Sequence, residues 1–301
     1  VLANIAKNAA AIIKETSVEQ VIVTELADLH SPLKRILLNF AVKHLKKMVP
    51  PYEFPQQIEF NKALALANKP WRPVEQTPDD IAVLQYTGGT TGVAKGAVLL
   101  HRNILANIAQ IDAWLEPGLR GLRIEQLVFV CALPMYHIFA LTACCLFGLK
   151  AGGLNILVTN PRDIPGFVKL LKGLKEFHVF PAVNTLFNAL MNHPKFSSID
   201  FSSLLVSIGG GMAVQKSVAD RWQKLTGKPI AEGYGLSETS PVVCCNTPLI
   251  DGFTGTIGLP LPGTDILILD NEERSVAIGE PDEALPHLAG DMRGYDVPIF
   301  Q

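Results

Sequence analysis

Two short stretches hold residue types whose spacing could do chemistry. The first is Tyr86-Thr87-Gly88-Gly89-Thr90-Thr91-Gly92-Val93-Ala94-Lys95-Gly96. Its glycines let the backbone turn sharply and approach an anion closely. Backbone N–H groups in such a turn, joined by three threonine hydroxyls, can wrap phosphate oxygens. Lys95 adds a mobile positive charge for the outer phosphates. The loop is not a Walker A motif, because Lys95 follows Ala94 and precedes Gly96. A Gly/Thr turn of no function is the plain alternative. The density of glycine and threonine, with a lysine three residues beyond Gly92, argues against it.

The second stretch is Glu232-Gly233-Tyr234-Gly235-Leu236-Ser237-Glu238. Two glycines bracket a tyrosine, so a tight turn can present its ring to a flat partner such as a purine. Glu238 offers a hard oxygen ligand suited to Mg²⁺ held between protein and phosphates. A surface loop with a solvated glutamate fits this stretch, taken alone, equally well.

The elements that must position these residues alternate along the chain. IAVLQY (81–86) reads as a strand, followed by the Gly/Thr loop, AVLL (97–100) and a helix over 103–115. In that helix Ile104, Ile108, Ile111 and Leu115 share one face. LVFVCA (127–132), LNILV (154–158), FHVF (177–180) and LLVSI (204–208) read as strands. Helices follow near 164–175, 183–192 and 214–225. Apolar strands alternating with helices predict a parallel α/β sheet covered on both faces. Upstream, VLANIAKNAAAIIKE reads as a helix and QVIVTEL (20–26) as a strand. Residues 50–78 hold six prolines and read as an irregular connection. From about 254 short strands and turns predict a small β-rich subdomain. The expected division is therefore 1–253 and 254–301.

The chain has 301 residues, enough for two domains at about 150 residues each. Its net charge of −2 excludes a nucleic-acid binder recognised by charge alone. With 48% hydrophobic residues and 18% charged, the composition is not that of a disordered chain. Cys131, Cys144, Cys145, Cys244 and Cys245 make no CxxC spacing and read as reduced, buried thiols of a cytosolic protein. No signal peptide is visible. Residues 126–149 lack charge, but Pro134, Tyr136 and His137 interrupt them. A buried strand followed by a buried helix (137–149) fits better than a membrane span. Residues 33–49 carry Lys34, Arg35, Lys43, Lys46 and Lys47 and no acid, with Leu38, Val42, Leu45 and Val49 at helical spacing. The favoured reading is a surface helix whose apolar stripe packs on the core; the alternative is a helix lying on an anionic membrane.

YTGGTTGVAKG and EGYGLSE resemble the phosphate loop and adenine motif of the acyl-adenylate-forming superfamily. LPMYHIFALT, TNPRDIPG, VNTLFNAL, SIGGGMAVQ and RWQKLTG, in that order, resemble its bacterial long-chain fatty-acid–CoA ligase branch. The resemblance runs from near residue 1 to about 270. It implies the superfamily's large-domain fold: parallel sheets flanked by helices, plus a small β-rich part. It also implies a two-step reaction. A fatty carboxylate attacks the α-phosphate of Mg·ATP to give acyl-AMP and pyrophosphate, and coenzyme A then displaces AMP.

The implied roles follow residue by residue. Thr87, Gly88, Gly89, Thr90, Thr91, Gly92 and Lys95 would hold the β- and γ-phosphates. Thr87 and Glu238 would hold Mg²⁺. Gly209, Gly210, Gly211 and Tyr234 would sandwich adenine, within an ATP site that takes in Glu232, Gly233 and Gly235. Ser237 would bond an α-phosphate oxygen or the carboxylate. Lys95, Ser237, Glu238 and His137 form the implied catalytic set. Tyr136, His137, Ile138 and Phe139 would line the acyl site, although His137 by itself also reads as a satisfied core residue. Asp291 resembles the aspartate that binds the ribose hydroxyls.

Expected co-substrates are ATP and coenzyme A, with Mg²⁺ as cofactor. Peripheral attachment to the inner face of the cell membrane and a homodimer are further expectations. After Glu280 the resemblance breaks, so a fragment lacking the start of the large domain and the whole C-terminal domain is expected. Two alternatives stand beside the ligase: an aryl-acid or carrier-loading adenylate former, and a non-catalytic nucleotide-binding fragment.

Overall fold

A computed structural model describes residues 1–68, 70–87, 95–267 and 274. The chain forms two compact units, the first Val1–Glu75 and the second beginning at Gln76. The division falls at Glu75, far from residue 253.

In the first unit the opening segment forms α1 (Ala6–Ile12) between two 3-10 turns. β1 (Val21–Val23) follows, then α2 (Pro32–Phe40), continued by a π-type turn Ala41–Leu45. β2 (Gln57–Glu59) pairs in parallel with β1 and leads into α3 (Phe60–Ala65). The proline-rich stretch expected to be irregular thus contains a strand and a helix, because its prolines lie outside residues 56–69. Ala3, Ala6, Val21, Val23 and Phe54 form a small core. α2 meets this unit through a polar residue. Asn39 is buried, its Oδ1 accepts from the Ala27 N–H at 2.9 Å, and its Nδ2 donates to Asp28. The apolar side chains of 33–49 are mostly not packed on a core, contrary to the favoured reading. Leu33, Ile36, Leu37, Phe40 and Leu45 are exposed.

The second unit opens with the antiparallel pair β3 (Ile81–Thr87) and β4 (Lys95–Leu100). α4 (His101–Leu119) follows, its start secured where Asn103 Oδ1 accepts the Leu100 N–H at 2.9 Å. Ile104, Ile108, Ile111 and Leu115 are all buried, so the expected stripe faces inward. β5 (Val128–Cys131) leads to α5 (Ile138–Ala140), a π-type turn Leu141–Leu146 and α6 (Phe147–Lys150). Then come β6 (Leu154–Leu157), α7 (Ile164–Gly173), β7 (Val179–Ala182), α8 (Asn184–Met191), β8 (Val206–Gly209) and α9 (Lys216–Thr226). Caps match the chemistry of their residues. Asp163 accepts the Gly166 N–H at the start of α7. Gly227, at φ 74°, ends α9 in the left-handed region. β9 (Ile230–Gly235), β10 (Val242–Cys245) and β11 (Leu259–Pro260) complete the strands.

One sheet runs β11-β10-β9-β8-β7-β5-β6. β6, β5, β7, β8 and β9 are mutually parallel, and β10 and β11 add antiparallel strands at one edge. The described residues beyond 254 therefore extend the main sheet through β11. The chain leaves β5 for β6 on one side and then crosses to β7 on the other. This reversal puts α7, α8 and α9 on one face and α4 to α6 on the other. Phe167, Phe180, Phe187, Phe196 and Trp222 fill the first face. Ile104, Ile108, Phe129, Ile138 and Phe147 pack the second.

Candidate active site

In an open parallel sheet the carboxyl ends of the strands are where loops of different strands converge and ligands bind. β5, β8 and β9 end here in His137, Gly210-Gly211 and Gly235-Leu236-Ser237. These residues border a cavity of about 100 Å³. Its walls are apolar: Ile111, Trp114 and Leu115 from α4, Ile138 and Phe139 from α5, and Val242 and Cys245 from β10.

Each mouth residue is fixed by local chemistry. His137 precedes α5, and its Nδ1 accepts the Phe139 N–H at 3.4 Å. It is exposed and caps a helix, so it is not the buried core residue that its apolar neighbours suggested. A Cβ on Gly210 would meet the Phe139 ring at 3.0 Å and the Gly233 carbonyl at 3.3 Å. Gly211 has φ 76°, which favours glycine, and a Cβ there would meet only Val183. Gly209 differs: a Cβ would collide with Val214 and Ile230, so its bareness serves packing. Ser237 and Glu238 sit in a single 3-10 turn, held where Thr239 Oγ1 accepts the Leu236 N–H at 3.0 Å. Burial pushes the Tyr234 phenol above its ordinary value, and the nearby Cys244 adds to that.

Other sequence-derived candidates are placed as follows. Thr87 pairs with Lys95 across the β3–β4 ladder, and β4 packs beside the 237–239 turn. Lys95 is exposed and makes no ion pair among the described residues. Glu232 is buried and its Oε1 accepts the Val214 N–H at 2.9 Å. It braces the loop after β8 and does not line the cavity. Tyr136 is 82% exposed and also lies outside the lining, while its carbonyl accepts from Gln85 Nε2. Gly88, Gly89, Thr90, Thr91, Gly92 and Asp291 lie outside the described residues.

The sequence reading missed Trp114, Pro241, Val242, Cys245 and Leu261 as lining residues. It also took the α4 stripe as plain core. A helix face that walls a cavity has the same apolar periodicity as one that fills a core, so no pattern separates them. All five thiols are free, as expected. Burial pushes Cys245 up to about 12, with an opposing contribution from the Trp114 indole. Cys144 is pushed up by its bond to Cys131 and by burial, and that bond holds Cys131 down.

A parallel sheet with an apolar, glycine-rimmed cavity at its carboxyl edge, accompanied by the antiparallel β3–β4 pair, is an α/β scaffold with its candidate site where the strands end. The family model described as AMP-binding enzyme matches residues 4–296, and the chain belongs to that family. The chain is 47% identical over 300 residues to a long-chain-fatty-acid–CoA ligase of Escherichia coli O157:H7, covering 98% of this chain and 52% of the relative. It is 36% identical over 219 residues to the Bacillus subtilis (strain 168) protein of the same name, covering 72% of this chain and 38% of that one. The chain thus spans about half the length of the curated relatives it matches. Among solved structures it resembles the anthranilate CoA ligase AuaEII in complex with anthranoyl-AMP, with TM-score 0.67 and 20% identity over 91% of this chain and 50% of that one. Apo MatB from Rhodopseudomonas palustris gives TM-score 0.62 and 24% identity over 86% and 48%. These likenesses establish the adenylate-forming enzyme fold.

Proposed function

We propose that this chain carries the ATP- and acyl-binding part of a long-chain fatty-acid–CoA ligase. The observation that carries the reading is the apolar cavity whose rim carries His137 and Ser237, beyond the ends of β5 and β9. A carboxylate held at that rim with its tail in the cavity is positioned to attack an α-phosphorus. The carboxylate oxygen forms the new P–O bond, the bond to the pyrophosphate oxygen breaks, and pyrophosphate leaves with the electron pair. Positioning and charge neutralisation dominate such transfers. Lys95 supplies positive charge to the outer phosphates, and Ser237 donates to the α-phosphate or the carboxylate. Tyr234 and the Gly210-Gly211 backbone take the adenine. Coenzyme A thiolate then attacks the acyl carbonyl and expels AMP.

Mg²⁺ fits the donors present. No cluster of three His, Cys, Asp or Glu occurs among the described residues. An ion bound mainly by phosphates and water needs only one or two protein oxygens. The Thr87 hydroxyl and Glu238 carboxylate would supply those oxygens, and the ion would neutralise phosphate charge.

The test is fatty-acid-dependent ATP–pyrophosphate exchange, with benzoates as the competing acids. Exchange driven by fatty acids supports the ligase; exchange driven only by benzoates overturns it, and ATP binding without exchange favours the non-catalytic fragment. Glu238→Ala is expected to lower Mg²⁺-dependent exchange by orders of magnitude, and unchanged exchange removes its metal role.

No helix among the described residues is long and apolar enough to cross a membrane. We infer peripheral contact with anionic lipid through residues 33–49, where exposed Leu33, Ile36, Leu37 and Phe40 accompany five basic residues and no acid. Liposome flotation with those lysines replaced by glutamine should drop, and unchanged flotation removes the helix from the role. The expected homodimer is tested by sedimentation equilibrium.

A further inference from the structure

Tyr234 and the Gly210-Gly211 backbone stand on separate elements. Tyr234 is on β9, and the two glycines open the loop after β8. The β8–β9 ladder ends at Gly209 and Glu232. Past that point the Gly210 N–H turns to the Ala182 carbonyl of β7 at 3.3 Å, away from β9. The spacing between loop and strand is therefore not set by ladder bonds.

The Glu232 side chain spans the two. Its Oε1 accepts the Val214 N–H at 2.9 Å, three residues past Gly211. Both residues are buried, so water does not stand in for the bond. Glu232 makes no ion pair among the described residues. The other end of this brace is rigid. Asn246 N–H donates to the Glu232 carbonyl at 2.9 Å, and Asn246 Oδ1 accepts the Glu232 N–H at 3.0 Å. Asn246 is itself buried, and its Nδ2 donates to the Thr256 carbonyl at 3.1 Å. The loop is also held where Asn184 Oδ1 accepts the Gln215 N–H at 3.0 Å. That bond ties the loop to α8 and leaves its distance from β9 to Glu232.

We propose that Glu232 is a positioning residue for the nucleotide: its carboxylate fixes the gap between the Gly210-Gly211 loop and Tyr234. This rests on the reading of those groups as the two walls that take the adenine. A planar ring gains from both walls only when each stands at contact distance, about 3.5–4.0 Å away. A brace of fixed length sets that gap before the ligand arrives, so binding carries less ordering cost. A hydrogen bond to a charged acceptor is about twice as strong as a neutral one. A carboxylate therefore holds the loop more firmly than an amide oxygen in the same place. Glu232 stays outside the cavity lining and acts through the backbone it holds.

The experiment is calorimetric titration of AMP into the 301-residue chain and its variants, below their unfolding transitions. Glu232→Met keeps the length and removes the acceptor, and it should weaken AMP binding about tenfold. Glu232→Gln restores an uncharged acceptor and should recover affinity to within about threefold of wild type. Glu232→Asp keeps the charge but is one methylene shorter than the reach to Val214, so it should bind AMP less tightly than Glu232→Gln. Asn184→Ala frees the same loop from α8 only and should bind AMP more tightly than Glu232→Met. The comparison of Gln with Asp carries the test if Glu232→Met fails to fold. A general loss of structure would make affinity follow the thermal midpoints of the variants, whereas a brace makes it follow the acceptor at Val214. Wild-type affinity in Glu232→Met, a loss that Glu232→Gln does not recover, or tighter binding by Glu232→Asp than by Glu232→Gln overturns the brace while leaving the nucleotide site standing. A wild-type chain that binds no AMP overturns the adenine reading, and the brace with it.

Discussion

The two faces of the seven-stranded sheet are built from alternate residues of the same strands, yet one is solid and the other holds a cavity. In β5, Val128 and Val130 face the solid side while Phe129 and Cys131 face the other. In β8, Ser207 reaches Trp222 on the solid side, and Ile208 lines the cavity. The solid face is a jigsaw of rings. Trp222 is fully buried, with Phe187 at 4.6 Å and Phe180 and Phe196 each at 5.5 Å between centroids. The cavity face has Gly210, Gly233 and Gly235 in its lining at the strand ends. Strand alternation gives both faces to every strand; side-chain volume alone decides which face is core and which is site.

Mutations on the two faces should therefore separate stability from binding. Trp222→Ala is expected to have the largest effect, costing about 3–5 kcal/mol, because it opens a cavity amid rings and strands Ser207 Oγ without its indole donor. Urea unfolding measures it. Trp114→Ala, half-buried on the other face, should cost no more than about 1 kcal/mol. Equal losses for the two tryptophans would abolish the contrast between the faces.

Gly210→Ala places a methyl against the Phe139 ring and the Gly233 carbonyl. It should cost about 1–3 kcal/mol of stability, and weaken binding of an acyl-adenylate mimic by on the order of tenfold. A thermal midpoint scan and one titration test both halves of that expectation. Normal affinity would show that the rim is not where the ligand passes.

The opposite, amino-terminal edge of the sheet should respond to pH. His178 Nδ1 accepts the Val128 N–H at 3.0 Å, so the ring is needed neutral on that nitrogen. Burial pushes its pKa below the ordinary 6.5, with Glu176 opposing in part. The folded state thus binds fewer protons than the unfolded one just below that value, and stability falls as pH drops through 6.5 toward the lowered folded value. Urea midpoints at pH 7.5 and 5.5 should differ more in wild type than in His178→Gln; parallel behaviour would assign the acid sensitivity elsewhere. The smallest effect concerns Cys245. With its pKa near 12, about one molecule in ten thousand is thiolate at pH 8. Alkylation there should lag far behind that of an exposed cysteine.

The sequence by itself determined the alternation of strand and helix, the buried stripe of α4, the free thiols and the family of the chain. These are local properties. Periodicity, turn residues and short motifs are written within a few residues of one another. Element ends shifted by only one to four residues, as where FHVF foretold a strand that runs Val179–Ala182. What the sequence could not carry depends on which distant segments meet. Glu232 sits in a motif that suggested nucleotide contact, but its carboxylate is consumed by the Val214 backbone. Tyr136 adjoins His137 in sequence, yet it stands exposed while His137 reaches the rim. The stripe of 33–49 was legible as amphipathic, but only the fold showed that Asn39 anchors that helix and leaves the leucines uncovered. Trp114 gave no local sign of its place, because a wall is defined by the empty volume in front of it. That volume exists only once α4 lies along β10.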